Sequence, residues 1–181
     1  MRYAEIKHND IANGSGVCVS YWTQGCSHRC KGCHNPQTWN PNAGKEGTLV
    51  GVIDEILKAI SANGITRNFS ILGGEPLDSY NVGNVQTIID KVRNAYPDVK
   101  IYLWTGYTLE NLTEAQLNAI KNIDILIDGK FEEDLKDLTL ELRGSSNQRI
   151  LTKEDIYGEI EKRKKFIRTT AATGFATRIK K

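Results

Sequence analysis

Apolar residues along the chain follow two rhythms. Short runs rich in β-branched and aromatic residues, Val17-Cys18-Val19-Ser20-Tyr21-Trp22, Phe69-Ser70-Ile71-Leu72, Lys100-Ile101-Tyr102-Leu103-Trp104 and Ile123-Asp124-Ile125-Leu126-Ile127, have the length and make-up of strands. Between them apolar residues recur every three or four positions. Val50, Ile53, Ile56, Leu57 and Ile60 mark one helical face, which Asn63-Gly64 closes, and Val82, Val85, Ile88, Ile89 and Val92 mark the next. A short helix begins at Thr113-Glu114-Ala115-Gln116, with Thr113 as its cap, and runs through Ile120. Beyond Asp128 the pattern weakens to a charged stretch, a short strand around Arg149-Ile150-Leu151 and a last helical segment from Asp155 to Lys165.

A strand followed by a helix and another strand requires parallel pairing through right-handed crossovers, because no tight turn reaches a parallel neighbour. The expected architecture is a parallel α/β sheet, open or partly closed. Ligands of such sheets gather at the C-terminal ends of the strands. Four unusual loops follow strand ends here: the cysteine loop after Trp22, Gly73-Gly74-Glu75-Pro76, Thr105-Gly106 and Asp128-Gly129-Lys130. They are expected to share one rim.

The 181 residues, of which 39% are hydrophobic and 25% charged, suit one soluble domain over 1–181 and exclude collagen-like, largely disordered and membrane-embedded classes. A formal net charge of +2 is too mild to imply nucleic acid, and Tyr and Trp are too scattered for a base-stacking platform. No apolar stretch is long enough to suggest a membrane-spanning helix, and Met1–Gly16 lacks the pattern of a secretory signal. The expected compartment is the cytoplasm.

Cysteine placement changes the picture most. Cys26, Cys30 and Cys33 fall inside eight residues, spaced C-x-x-x-C-x-x-C, while Cys18 sits apart within a strand as a core residue. Clustered intracellular cysteines read as metal ligands or catalytic thiols. Thiolate sulfur suits zinc or an iron-sulfur cluster. A structural zinc closes its site with four protein ligands, which would require His28 or His34 beside the three cysteines. A cubane cluster on three cysteines instead leaves one iron open to bind substrate. Buried inert thiols are a further reading, opposed by the polar Gly25, Lys31 and Gly32 around them.

The cysteine spacing after a first strand, with Gly73-Gly74-Glu75-Pro76 after the next, resembles the radical S-adenosylmethionine superfamily. Within it, the blocks Gly25 to Asn35, Gly73 to Leu77, Asp128-Gly129-Lys130-Phe131 and Arg143-Gly144-Ser145-Ser146-Asn147-Gln148-Arg149 are similar to those of the activases of anaerobic ribonucleoside-triphosphate reductase, a glycyl-radical enzyme. The resemblance implies a partial (β/α) barrel with a mainly parallel sheet. It implies a 4Fe-4S cluster on Cys26, Cys30 and Cys33, with S-adenosylmethionine chelating the open iron. It also implies reductive cleavage to a 5′-deoxyadenosyl radical that takes a hydrogen atom from a glycine of the reductase, and a low-potential electron donor such as flavodoxin.

The same resemblance suggests roles for further residues. Gly73 and Gly74 would let the backbone approach the methionyl group, and Glu75 would hold its ammonium. Lys130 would face the carboxylate, Asp128 a hydroxyl or positive group, and His34 the cluster or adenine. Many superfamily members carry an aromatic residue at position 32; here it is Gly32, and the backbone from Gly32 to His34 is expected to take over that contact. The Arg143–Arg149 block would bind ligand or a partner loop. Trp22, Trp39 and Trp104 are read as core or rim packing. From Glu159 to the end, eight Lys or Arg stand against two acids, a solvated terminus by default and a dock for an acidic partner patch by hypothesis. Two other functions compete: a radical enzyme acting on a small molecule, and a zinc-binding interaction module without chemistry.

Overall fold

A computed structural model of the chain describes residues 1–178, with side chains described through Thr169. Seven strands form one sheet: β1 (Arg2–Asp10), β2 (Cys18–Thr23), β3 (Lys45–Glu46), β4 (Asn68–Gly73), β5 (Ile101–Trp104), β6 (Ile125–Asp128) and β7 (Arg149–Thr152), in the order β3-β1-β2-β4-β5-β6-β7. The α-helices are α1 (Leu49–Ile60), α2 (Val82–Ala95), α3 (Glu114–Ile120) and α4 (Lys153–Arg178). The four central strands β2, β4, β5 and β6 pair in parallel, with α1, α2 and α3 in the successive connections. The flanks run the other way: β1 on β2, β3 on β1 and β7 on β6 are antiparallel. The sheet is therefore mixed, with a parallel centre.

Alternation of side chains gives the parallel strands two different faces. Val19 and Tyr21 of β2, Phe69 and Ile71 of β4, Ile101 and Leu103 of β5 and Leu126 of β6 join the core with the buried residues of α1, α2 and α3. Each such side chain contributes about 1.5–3 kcal/mol by leaving water. The opposite face carries Cys18, Ser20, Trp22, Ser70, Leu72, Tyr102 and Trp104. Its lower half is covered by the segment between β1 and β2, where the Ser70 hydroxyl donates to the Asn13 carbonyl and Ser15 N–H donates to the Tyr102 hydroxyl at 3.3 Å. Its upper half, Trp22, Leu72 and Trp104, lines a cavity beneath the C-terminal rim.

Thr113 caps α3 as expected, within a capping box closed by Gln116. Three expectations change. β1 escapes the pattern because Tyr3 and Ile6 are its main apolar residues and it lies near the sheet edge with two register shifts, so little alternation shows. The fourth central strand starts at Ile125 rather than Ile123: Ile123 donates its N–H to the Ile120 carbonyl in the turn after α3 and is buried there. The last helix begins at Lys153 and runs past Lys165. Of the basic segment expected over 159–181, residues 179–181 lie outside the described residues. Among the described residues no helix is long and apolar enough to cross a membrane.

Arg67, which no apolar pattern marks, is buried just before β4. Its guanidinium donates to the carbonyls of Ala59, Ala62 and Ile65 and to Asn9 Oδ1, so it satisfies the C-terminal end of α1, where a cation also meets the negative end of the helix dipole.

Candidate functional site

Because β2, β4, β5 and β6 run parallel, the loops that leave their C-terminal ends meet at one rim. Cys26, Cys30 and Cys33 all line the cavity there, about 350 Å³ in volume, together with His34, Gly73, Gly74, Glu75, Thr105 and Gly106. Backbone bonds seat the cysteine loop: Gly25 N–H donates to the Thr38 carbonyl at 2.6 Å and Cys26 N–H to the Trp39 carbonyl at 3.1 Å, both in a 3-10 turn over Pro36–Thr38 and its cap. All four cysteines are free thiols, and Cys18 is buried at 0% exposure away from the other three.

The Gly-Gly-Glu-Pro turn is stitched to its neighbours. A Cβ on Gly74 would sit 2.1 Å from the Gly25 carbonyl oxygen, so that position accepts only glycine if β4 is to end against the cysteine loop. Glu75 is 1% exposed. Its Oε1 accepts from Leu77 N–H at 2.9 Å and the Thr105 hydroxyl at 2.7 Å; Oε2 accepts from Gly106 N–H at 2.8 Å and lies 3.1 Å from His28 Nε2. These contacts occupy the carboxylate's acceptor sites and bind the β4 and β5 loops to each other.

Three of the residues singled out in the sequence stand off the cavity wall. Asp128 is buried, accepts from Leu109 N–H at 2.8 Å and is paired with Arg149 at 2.5 Å, which also reaches Glu110 at 2.8 Å. Those two acids hold Arg149 firmly protonated. Lys130 is exposed, and its charge acts on Cys30. Gly32 has φ +70° and a Cβ there would meet Glu133 Oε1 at 2.7 Å, so the space that an aromatic side chain would need holds Glu133, itself 3.0 Å from Lys31 Nζ. His34 lines the cavity and packs edge-on against Phe131, with centroids 5.8 Å apart.

From the Arg143–Arg149 block, Gly144 and Gln148 reach the cavity; Gln148 accepts from Gly144 N–H at 2.8 Å and donates to the Gly129 carbonyl at 3.0 Å. Trp22, Trp39 and Trp104 line the cavity as rim packing, and Trp104 Nε1–H donates to the Leu142 carbonyl at 2.7 Å. Residues that the sequence did not mark are Asp78 and Tyr107, which brace the rim loops; Thr105, marked only as part of a strand-end loop, holds Glu75. Asp78 stands one residue beyond Gly73–Leu77, and that adjacency was the only signal available.

The donor set fits an iron-sulfur cluster. Burial pushes the Cys26 and Cys30 thiols up, while N–H groups of Arg29 and His28 toward Cys26, and of Phe131 toward Cys30, pull the other way. Asn35 N–H donates to Cys33 Sγ at 3.3 Å. Such N–H···S bonds stabilise thiolate ligands and tune a cluster's potential. Trp39 Nε1–H is buried on the cavity wall with no partner among the described residues, a donor left for a bound group. Also among the described residues, no three His, Cys, Asp or Glu side chains are gathered as closely as a single metal ion requires. A cubane spreads its thiolates over separate irons and needs no such convergence.

Residues 12–151 match the family model of a 4Fe-4S single cluster domain. The chain is 39% identical over 149 residues to the anaerobic ribonucleoside-triphosphate reductase-activating protein of Escherichia coli (strain K12), which covers 82% of this chain and 96% of that protein. The protein of the same name from Salmonella typhi matches with the same identity and coverage. Its namesake from Enterobacteria phage T4 is 36% identical over 155 residues, 86% of this chain and 96% of the phage protein. Identity of this size over nearly the full length of the relatives places the chain in the family of anaerobic ribonucleoside-triphosphate reductase-activating proteins, whose 4Fe-4S single cluster domain it carries.

Proposed function

We propose that the chain activates an anaerobic ribonucleoside-triphosphate reductase by cleaving S-adenosylmethionine reductively at a 4Fe-4S cluster held by Cys26, Cys30 and Cys33. The observation that carries this reading is the placement of all three thiols on one cavity wall, against the Gly73-Gly74-Glu75-Pro76 turn, at the C-terminal rim of parallel strands. When bound, the cluster would supply one low-potential electron to S-adenosylmethionine, whose C5′–S bond would break to release methionine and a 5′-deoxyadenosyl radical able to take a hydrogen atom from a glycine of the reductase.

The chain's own residues arrange that chemistry. The three thiolates would hold the cluster and leave one iron without a protein ligand, and the loop's N–H groups would hold the sulfurs in place. Gly73 and Gly74 would present backbone to the methionyl end, Trp39 Nε1–H would offer a donor, and Cys33 and His34, on the cavity wall, would lie toward the adenine, with Gly32 set back from it. Lys130 brings positive charge to the rim beside Cys30, where it favours an anionic ligand group. Asp128 contributes at a distance, tying the end of β6 to the start of β7 through Arg149.

On this reading the mixed sheet is a partial barrel of the radical S-adenosylmethionine type, its open mouth closed by the reductase, and the protein works in the cytoplasm with a low-potential donor such as flavodoxin. Anaerobic reconstitution followed by metal analysis tests it. About four irons with sulfide per chain are expected, and Cys30→Ala is expected to abolish S-adenosylmethionine cleavage under a strong reductant. One zinc without iron, or cleavage that survives Cys30→Ala, overturns the reading.

A further inference from the structure

Ser27 follows the first cysteine directly, and both of its polar handles go to one carboxylate. Its N–H donates to Asp78 Oδ2 and its hydroxyl to Asp78 Oδ1, each at 2.8 Å. The same carboxylate accepts from the Tyr80 hydroxyl at 2.6 Å and the Tyr107 hydroxyl at 2.7 Å. Four donors fill the acceptor sites of a side chain that is 4% exposed. Asp78 is itself held at the start of α2, where its carbonyl accepts from Asn81 N–H at 2.8 Å and Val82 N–H at 2.9 Å. Tyr107 wedges the same loop a second time, its ring edge-on to His28 with centroids 4.6 Å apart.

We propose that Asp78 is a positioning residue for the cysteine loop: its carboxylate locks Ser27, and through it the adjoining Cys26, in register with the loops that leave β4 and β5. The inference rests on the assignment of Cys26 as a cluster ligand. Asp78 does not line the cavity, so it acts through its neighbours. Charge-assisted bonds of this kind are about twice as strong as neutral ones, and a misplacement well under the width of an atom suffices to slow a reaction that depends on contact between cluster and sulfonium. Burial by itself would raise the Asp78 carboxyl, but the bonds from Tyr80, Tyr107 and Ser27 outweigh it and keep the group ionised.

The test compares the reconstituted wild-type protein with Asp78→Asn, Ser27→Ala and the double variant. The readouts are iron content, melting temperature, kcat and KM for S-adenosylmethionine cleavage with dithionite, and the paramagnetic resonance spectrum of the reduced cluster with and without S-adenosylmethionine. Asparagine keeps the shape of Asp78 but turns one acceptor into a donor. Asp78→Asn is expected to keep its iron while kcat falls about tenfold or more, with KM little changed and the spectral response to S-adenosylmethionine altered. Ser27→Ala shifts the same readouts less, and the double variant is no worse than Asp78→Asn because both changes delete one shared contact. Wild-type kcat and spectrum in Asp78→Asn, or losses that simply add in the double variant, overturn the proposal while the activase reading stands. A wild-type protein that binds iron but cleaves no S-adenosylmethionine overturns both. Should Asp78→Asn fail to fold, Ser27→Ala decides: unchanged kcat and spectrum in that variant overturn the proposal.

Discussion

Gly74 shows how a single missing carbon sets the site. With its Cβ position 2.1 Å from the Gly25 carbonyl, Gly74→Ala forces the end of β4 away from the cysteine loop. The expected cost is about 2 kcal/mol, typical of overpacking, read as a lower midpoint in denaturant unfolding. Iron retention after reconstitution should fall with it, because Cys26 moves with Gly25. The sequence marked both glycines of this turn, and it suggested close approach of a ligand as the reason. The structure adds a prior reason, contact with the protein's own backbone. Gly32 is a similar case: spacing placed it among the cysteines, but only the folded chain shows Glu133 standing where a side chain would go. The clustering of the three cysteines was legible because their spacing is local. The roles of Glu75, Asp78 and Asp128 were not, because each is defined by donors 20 or more residues away: Thr105 and Gly106, Tyr107, and Arg149.

Among the elements, the hairpin of β1 and β2 is held by a buried polar group. Asp10 ends β1 and accepts from the Ser20 hydroxyl, Asn13 Nδ2–H and the N–H groups of Ala12 and Asn13. Burial alone would raise its carboxyl, but those bonds more than offset it and hold the group below its ordinary value of 3.8. A carboxyl depressed in the folded state contributes stability above its unfolded value, and that contribution is lost as pH falls through the folded value. The protein is therefore expected to lose stability below about pH 4. Asp10→Asn should be less stable than wild type at neutral pH and should show a flatter acid limb in melting temperature against pH. Equal slopes in the two proteins would contradict the assignment. The helices α1, α2 and α3 were readable from their spacing of apolar residues, and Thr113 from its position before one of them. β1 was not, since a mostly polar strand near the sheet edge is held by pairing with β2 and β3 and by this one aspartate.

For the molecule as a whole, parallel pairing of four strands brings distant loops to one rim, and the long excursion between β6 and β7 packs over it. Trp104 ties that excursion down through its bond to the Leu142 carbonyl. Trp104→Phe keeps an aromatic ring but removes the donor and part of the indole; amides around Leu142 should exchange faster with solvent, with stability lowered by at least about 1 kcal/mol. Unchanged exchange would mean that this bond does not hold the excursion down. The family match ends at residue 151, two residues before α4 begins, so every residue lining the cavity lies within the matched segment. What the sequence determined by itself was the central alternation of strands and helices, the loops at the strand ends and the cysteine spacing. Those features repeat over a few residues and need no knowledge of distant neighbours. Tertiary structure alone decided that the flanking strands turn antiparallel and that Asp128 pairs with Arg149 away from the cavity. It also decided that Asp78 and Glu75 spend their charge on holding loops together. The physical reason is common to all three: a strand without a strong apolar pattern, and a buried carboxylate, take their place from partners that only the folded chain brings near.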